Sequence, residues 1–219
     1  MNIIEFEFEN FYTVLLRINW IAIIVCLILV CLLPMLWKYI NKHLNKKSIN
    51  VSQLDLGIGN STIKLTYNKK DQEVAYKLWV ELSTRKIGIP FDEENDVIVE
   101  VYNSWYEFFK IARETIKEIP AERIPYSSEL INLTELVLNE GLRPHLTKWQ
   151  AKFRFWYNKE LEISNGVSPQ EIQKNYPEIK QLVDDLKQTN IHMINYKDLM
   201  KGIAFKSNPD IKICNKIKE

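Results

Sequence analysis

Glycine is scarce in this chain, six residues in 219. That argues against Gly-rich phosphate loops and against an all-β fold with many tight turns. Three cysteines support neither a disulfide framework nor a four-cysteine zinc site. The three histidines, His43, His145 and His192, lie far apart, and no HExxH, CxxC, GxSxG, Walker or GxGxxG pattern is present. In Arg143-Pro144-His145 the two side chains are closer in sequence than the Arg and His of HEPN-type ribonucleases. Asp184-Asp185 and Glu93-Glu94 have no catalytic partner nearby and read as solvated helix faces. No enzyme, cofactor or metal is expected. A net charge of +1 also excludes a polycation that holds nucleic acid by bulk charge, and 46% hydrophobic residues exclude a broadly disordered chain.

What is present is unevenly spread. From Ile18 to Trp37 the chain reads INWIAIIVCLILVCLLPMLW, without a charge. Twenty residues at about 1.5 Å each match the roughly 30 Å hydrocarbon core of a bilayer. Trp20 and Trp37 fall where amphipathic rings favour the headgroups, and Pro34 removes a backbone donor in the last turn. Glu5, Glu7 and Glu9 precede this run, and bulky residues follow it where a signal peptidase needs small ones, so the helix is expected to remain. Basic residues set the direction: Arg17 stands before the run, and Lys38, Lys42, Lys46 and Lys47 stand after it. The positive-inside rule then puts the amino terminus outside a bacterial inner membrane and the rest in the cytoplasm. Cys26 and Cys31 fall in the span and Cys214 in a reducing compartment, all three as free thiols.

The fold class expected is mainly α with a minor β part: a single amino-terminal transmembrane helix, then a cytoplasmic helical bundle with one β-hairpin. Residues 1–17 form an external acidic and aromatic flank, 18–37 the span, and 38–50 a basic helical extension suited to anionic headgroups. A helical domain covers 51–206, and 207–219 is a tail. Alternating apolar residues around Gly59-Asn60-Ser61 predict a hairpin over 51–67. Helices are predicted from Asp71 as N-cap to about Lys86, and from Asp92 to Ile119 with an apolar stripe including Ile98, Val101, Tyr102, Trp105 and Phe108. Another runs from Glu129 to Glu140, stopped at Gly141, and one begins at Pro144 and reaches about Leu161. Ser168 opens a last helical region that Pro177 divides.

Two clusters are candidate sites. From Asp92 to Glu140 there are twelve acids against four bases, whereas Gly141 to Asn158 has four bases and no acid. Arg143, His145, Lys148, Lys152 and Arg154 interleave there with Trp149, Trp156 and Tyr157. Bases beside aromatics suit a nucleotide or short single strand, with phosphate on the cations and rings stacked. The stripe Leu146, Trp149, Phe153, Trp156 is equally that of a core helix, whose basic face would pair with the acidic helix 92–119. The second cluster is Glu5, Glu7 and Glu9 with Asn19. It is a solvated flank in a monomer, but in a symmetric oligomer the carboxylates ring a pore mouth and Asn19 is a polar contact between spans.

In the order of these parts, acidic flank, span, basic collar and mainly helical domain, the chain resembles the transmembrane effectors of Hailong-type bacterial antiphage defence. That resemblance implies an oligomeric channel gated by a short oligonucleotide, and it carries over no site residue. Expected partners are therefore the lipid bilayer, further copies of the chain, a short oligonucleotide or nucleotide, and a partner protein encoded nearby. The alternative is a membrane-anchored scaffold with a cytoplasmic interaction domain and no pore.

Overall fold

The computed structural model describes residues 4–10, 13–18, 20–44 and 47–205, with side chains over 23–39 and 47–205. The chain divides into two units, Met1–Lys46 and Lys47–Glu219. The first begins with two antiparallel strands, β1 (Ile4–Asn10) and β2 (Thr13–Ile18). Ile4 stands opposite Ile18 and Glu7 opposite Leu15, with a register shift between Phe8 and Asn10. The residues expected as an acidic and aromatic flank thus include a hairpin, in keeping with the period-two Glu/Phe alternation over 5–9. Asn19 lies outside the described residues.

Helix α1 follows, Trp20–Leu44, with Pro34 inside it. Ile18, expected to open the helix, instead closes β2. The basic extension is helical to Leu44, and Lys47 already belongs to the next strand. The large apolar side chains from Ile23 to Trp37 are 45–72% exposed. Among the described residues no helix is long and apolar enough to cross a membrane. Cys26 and Cys31 are free thiols; Cys214 lies outside the described residues.

The second unit is mainly helical, as composition and periodicity predict. Its hairpin pairs β3 (Lys47–Ser52) with β4 (Thr62–Tyr67), burying Ile49, Val51, Leu65 and Tyr67. The first strand lies earlier than expected, because Leu54–Leu56 forms a 3-10 turn rather than a strand. That turn buries Leu56, and Gly57 follows it with φ 68°. Helix α2 (Lys69–Thr84) is capped by Asn68, whose Oδ1 accepts from the Lys70 and Asp71 amides while Asp71 accepts from the Asn68 amide. Asp71 is therefore the third residue of a capping box, not the cap.

Helix α3 (Ile98–Lys117) starts six residues later than predicted. Asp92 instead accepts from the Glu94 and Asn95 amides, an Asx-type turn that competes with helix formation. Helix α4 (Ile124–Leu136) carries Pro125 in its first turn. Gly141 does not stop this run: a π-helical turn, Val137–Leu142, leads into α5 (Arg143–Ile163), with Pro144 in its first turn as expected. The absent side chain at Gly141 admits another part of the chain, since a Cβ there would stand 3.2 Å from the Leu56 carbonyl oxygen. Ser168 accepts from the Glu171 amide at the head of α6 (Pro169–Lys174), and α7 (Ile179–Ala204) closes the described chain. The expected tail, 207–219, lies outside it.

α2 and α7 pack along their length, and α3 and α5 close over them with a core of Trp105, Trp149, Tyr102, Phe108, Phe153 and Tyr196. Two buried amides fasten the loops. Asn190 on α7 donates to the carbonyls of Ile87 and Ile89 and accepts from the Phe91 amide. Gln173 accepts from the Ile98 amide and donates to the Asp96 carbonyl, satisfying a donor at the head of α3 from across the fold.

Candidate functional site

The basic and aromatic residues of α5 separate into an inner and an outer set. His145, Trp149 and Tyr157 are buried. They share a helix face with Phe153, whose ring stacks on Tyr157 at 5.6 Å. Trp156 is half-buried, 5.0 Å from the Tyr176 ring. Arg143, Lys148 and Lys152 are exposed, and Arg154 is intermediate. The helix therefore does what its apolar stripe predicts, and three of the eight candidate ligand-binding residues are core.

The core reading carried a second expectation, that the bases pair with the acidic helix. Among the described residues none of them forms an ion pair with an acid of that helix, and the contacts they make to it are to uncharged side chains. Lys148 lies 3.8 Å from Asp185 on α7 and 4.6 Å from the Trp149 ring. Arg154 donates from Nη2 to the Asn103 side-chain oxygen at 3.0 Å, and Arg143 donates from Nε to Asn139 at 3.1 Å.

His145 sits in a closed polar knot. Its Nδ1 is 2.9 Å from Asp185 Oδ2, and its Nε2 is 3.1 Å from the Tyr102 hydroxyl. The Trp149 indole N–H donates to the same Asp185 oxygen at 2.6 Å. A neutral ring satisfies all of this: Nδ1–H donates to the carboxylate and Nε2 accepts from Tyr102. Burial holds the His145 pKa below the usual histidine value, against the opposing pull of Asp185. Partial burial pushes Asp185 up, yet hydrogen bonds from Trp149 and His145 outweigh it and bring its pKa below the ordinary carboxylate value. Both ring nitrogens are engaged, so the knot holds α3, α5 and α7 together. Sequence reasoning had His145 and Asp185 separately. Forty residues of separation and no motif gave no means of joining them.

The outer set borders two open grooves. One, of about 530 Å³, is lined by Tyr106, Gln150, Ala151, Arg154, Phe155 and Asn158. Tyr106 and Phe155 are 59% and 69% exposed, so two rings face solvent beside an arginine and two amides, with Lys159 Nζ 5.3 Å from the Phe155 ring. The other, of about 380 Å³, lies against the π-helical turn and includes Phe109, Arg113, Leu138 and Arg143. Tyr106, Phe109 and Arg113 were not picked out as binding residues from sequence, whereas Phe155 belongs to the aromatic and basic run 141–158. Phe109 counted only as core and Arg113 only as a base within an acidic stretch; a helical-wheel projection of 98–117 puts both near the edge of the buried stripe.

No cluster of three or more His, Cys, Asp or Glu residues suited to a metal ion occurs among the described residues. Glu5, Glu7 and Glu9 fall within β1, Glu5 opposite Arg17 and Glu7 opposite Leu15, with Glu9 at the register shift. Compared with known protein families, characterised proteins and solved structures, the chain matches none.

Proposed function

We propose that this chain is an oligomeric single-pass membrane effector, a gated ion-conducting pore of bacterial antiphage defence, whose helical domain receives a nucleotide or oligonucleotide signal. The observation that carries the reading is the exposure of α1: a continuous apolar surface from Ile23 to Trp37 that water disfavours and lipid does not. The backbone helix extends beyond that stretch on both sides, Trp20–Leu44, and Trp20, Ile21 and Ala22 add no charge. Its uncharged part, Trp20–Trp37, is about 27 Å of the roughly 30 Å hydrocarbon core, and Lys38 and Lys42 in the turns that follow are placed to reach the headgroups. Oligomerisation is supported by the β1–β2 hairpin, a two-stranded sheet that is marginal alone in water and that has strand edges to offer a neighbouring copy.

The experiment is expression in bacteria with a membrane-potential dye, followed by ion flux from liposomes holding the purified protein. Depolarisation and flux, both lost when arginines replace Leu29 and Val30, are the expected result. A membrane-bound protein that conducts nothing would leave the scaffold. The burial of His145, Trp149 and Tyr157 favours that second reading, because it removes three side chains from the surface where a signal would bind.

A further inference from the structure

The groove beside the π-helical turn has the composition of a small-molecule site. Its apolar wall is Phe109, Ile116, Ile131 and Leu138, from α3, α4 and the turn. Its polar lining is Arg113, Lys117 and Arg143 with Glu135 and Asn139, three cations against one carboxylate. The two guanidinium carbons lie 5.5 and 4.9 Å from the centroid of the same Phe109 ring. Cation–π contact at this range holds each arginine over the apolar floor rather than free in water. Among the described residues neither guanidinium has a carboxylate at ion-pair distance, whereas Lys117 is engaged by Glu114 at 2.7 Å. Arg143 uses only Nε, on Asn139, and keeps its terminal donors.

The turn explains why the groove is there. A π turn inserts a residue's worth of extra backbone, which shifts the side chains after it relative to those before it. Leu138 and Asn139 come from that turn, and Arg143 is the first residue after it. An uninterrupted α-helix would send Arg143 elsewhere. Gly141 lets the Leu56 carbonyl approach the turn closely, so the distortion is packed into the fold.

We infer that this groove binds a small soluble amphipathic anion, a single phosphate or carboxylate on a compact apolar body. The anion takes the forked donors of Arg113 and Arg143, and the body lies on Phe109, Ile116, Ile131 and Leu138. About 380 Å³ is within the range of pockets for small ligands and too little for the two acyl chains of a phospholipid. One aromatic ring among three aliphatic side chains favours a general apolar body over a run of stacked bases. The inference concerns the helical domain alone and stands whether or not the chain conducts ions.

The test is calorimetric titration of the full chain in a zwitterionic detergent, with hexyl phosphate, phenyl phosphate, inorganic phosphate and hexanol as probes. The two organic phosphates are expected to bind, with inorganic phosphate and hexanol each weaker by about tenfold or more. The double variant Arg113→Gln, Arg143→Gln should lose binding by about tenfold or more while its circular dichroism and Tm stay those of the parent. Glu135→Gln should tighten binding several-fold, because it removes the one carboxylate facing the anion; a merely structural role for Glu135 would leave the affinity unchanged. The control Lys180→Gln, which removes one positive charge from α7 outside the groove, should change nothing. Inorganic phosphate binding as tightly as hexyl phosphate would mean a bare anion site and overturn the inference. So would affinity that survives the double variant, or no binding at millimolar probe. None of these outcomes bears on flux, so this inference and the effector reading fail separately.

Discussion

The two units handle apolar surface in opposite ways. In Lys47–Glu219 most large apolar side chains turn inward: Trp105, Phe108, Phe153 and Tyr196 are fully buried, and most charges of the same helices face water. In α1 the apolar side chains have no such interior and stand outward over Ile23–Trp37. A helix that is apolar all round belongs inside a large core or inside lipid, whereas a helix with one apolar stripe belongs at the edge of a soluble core. α1 is of the first kind and α3 of the second. The larger unit therefore folds by expelling water from itself, and the proposed account has the helix of the smaller one leave water by entering a bilayer.

That contrast can be broken from either side. The largest effect is expected from Leu29→Arg with Val30→Arg. Two arginines near the centre of a span cost about 5–7 kcal/mol of insertion. Fractionation should then move the protein out of the membrane pellet, while urea unfolding of the helical domain is unchanged.

Trp149→Ala should do the reverse. It empties a buried site and orphans an Asp185 hydrogen bond, at a cost of about 3–5 kcal/mol. The midpoint of urea denaturation should fall with membrane attachment intact.

Gly57→Ala is next. Its Cβ would stand 2.6 Å from His192 Cδ2 at a backbone angle of φ 68°, so a loss of about 1–3 kcal/mol is expected in the same assay.

Acid should act through the His145 knot. The folded His145 pKa is below its unfolded value of 6.5, so the unfolded chain binds the proton more readily. Its contribution to stability is complete above that value and is lost as pH falls from it toward the folded pKa. Asp185, also lowered, loses its contribution in the same direction, below its unfolded value of 3.8. Denaturation midpoints between pH 8 and 5 should decline, and His145→Gln should flatten the decline.

The smallest effect is expected for Lys117→Ala. Its partner Glu114 is one turn away on the exposed face of α3, and such pairs contribute at most about 0.5 kcal/mol. A Tm shift beyond a degree or two would mean that Lys117 does more than this pair.

Much of this was legible in the residues before any coordinates. The stripe of α3 from Ile98 to Ala112 is buried as its period requires, and Pro144 opens α5. Such features are local: one helix face, one cap or one proline is specified by neighbours within a few residues. What stayed hidden depends on distant groups. Leu54–Leu56 alternates like a strand, yet α7 draws it into a 3-10 turn through His192 and Asn195, which both hydrogen-bond the Asp55 carbonyl. Gly141 looks like a helix stop, but contact with Leu56 turns it into part of a π turn. Asp71 and Asp92 were local too, but misjudged: each lies near a helix start, and only the hydrogen bonds decide which residue caps. The candidate site was half-visible for the same reason. The basic and aromatic content of 141–158 is plain, but the division into core and surface is set by α3 and α7, and the grooves at Phe109 and Phe155 exist only once those helices are packed.

The central claim is that α1 lives in lipid. Its most direct test is flotation of the full chain on a density gradient with liposomes, after a wash in alkaline carbonate that strips peripheral proteins. Recovery at the top of the gradient, extractable only with detergent, is the predicted result. A protein that stays at the bottom, soluble without detergent, would contradict the account.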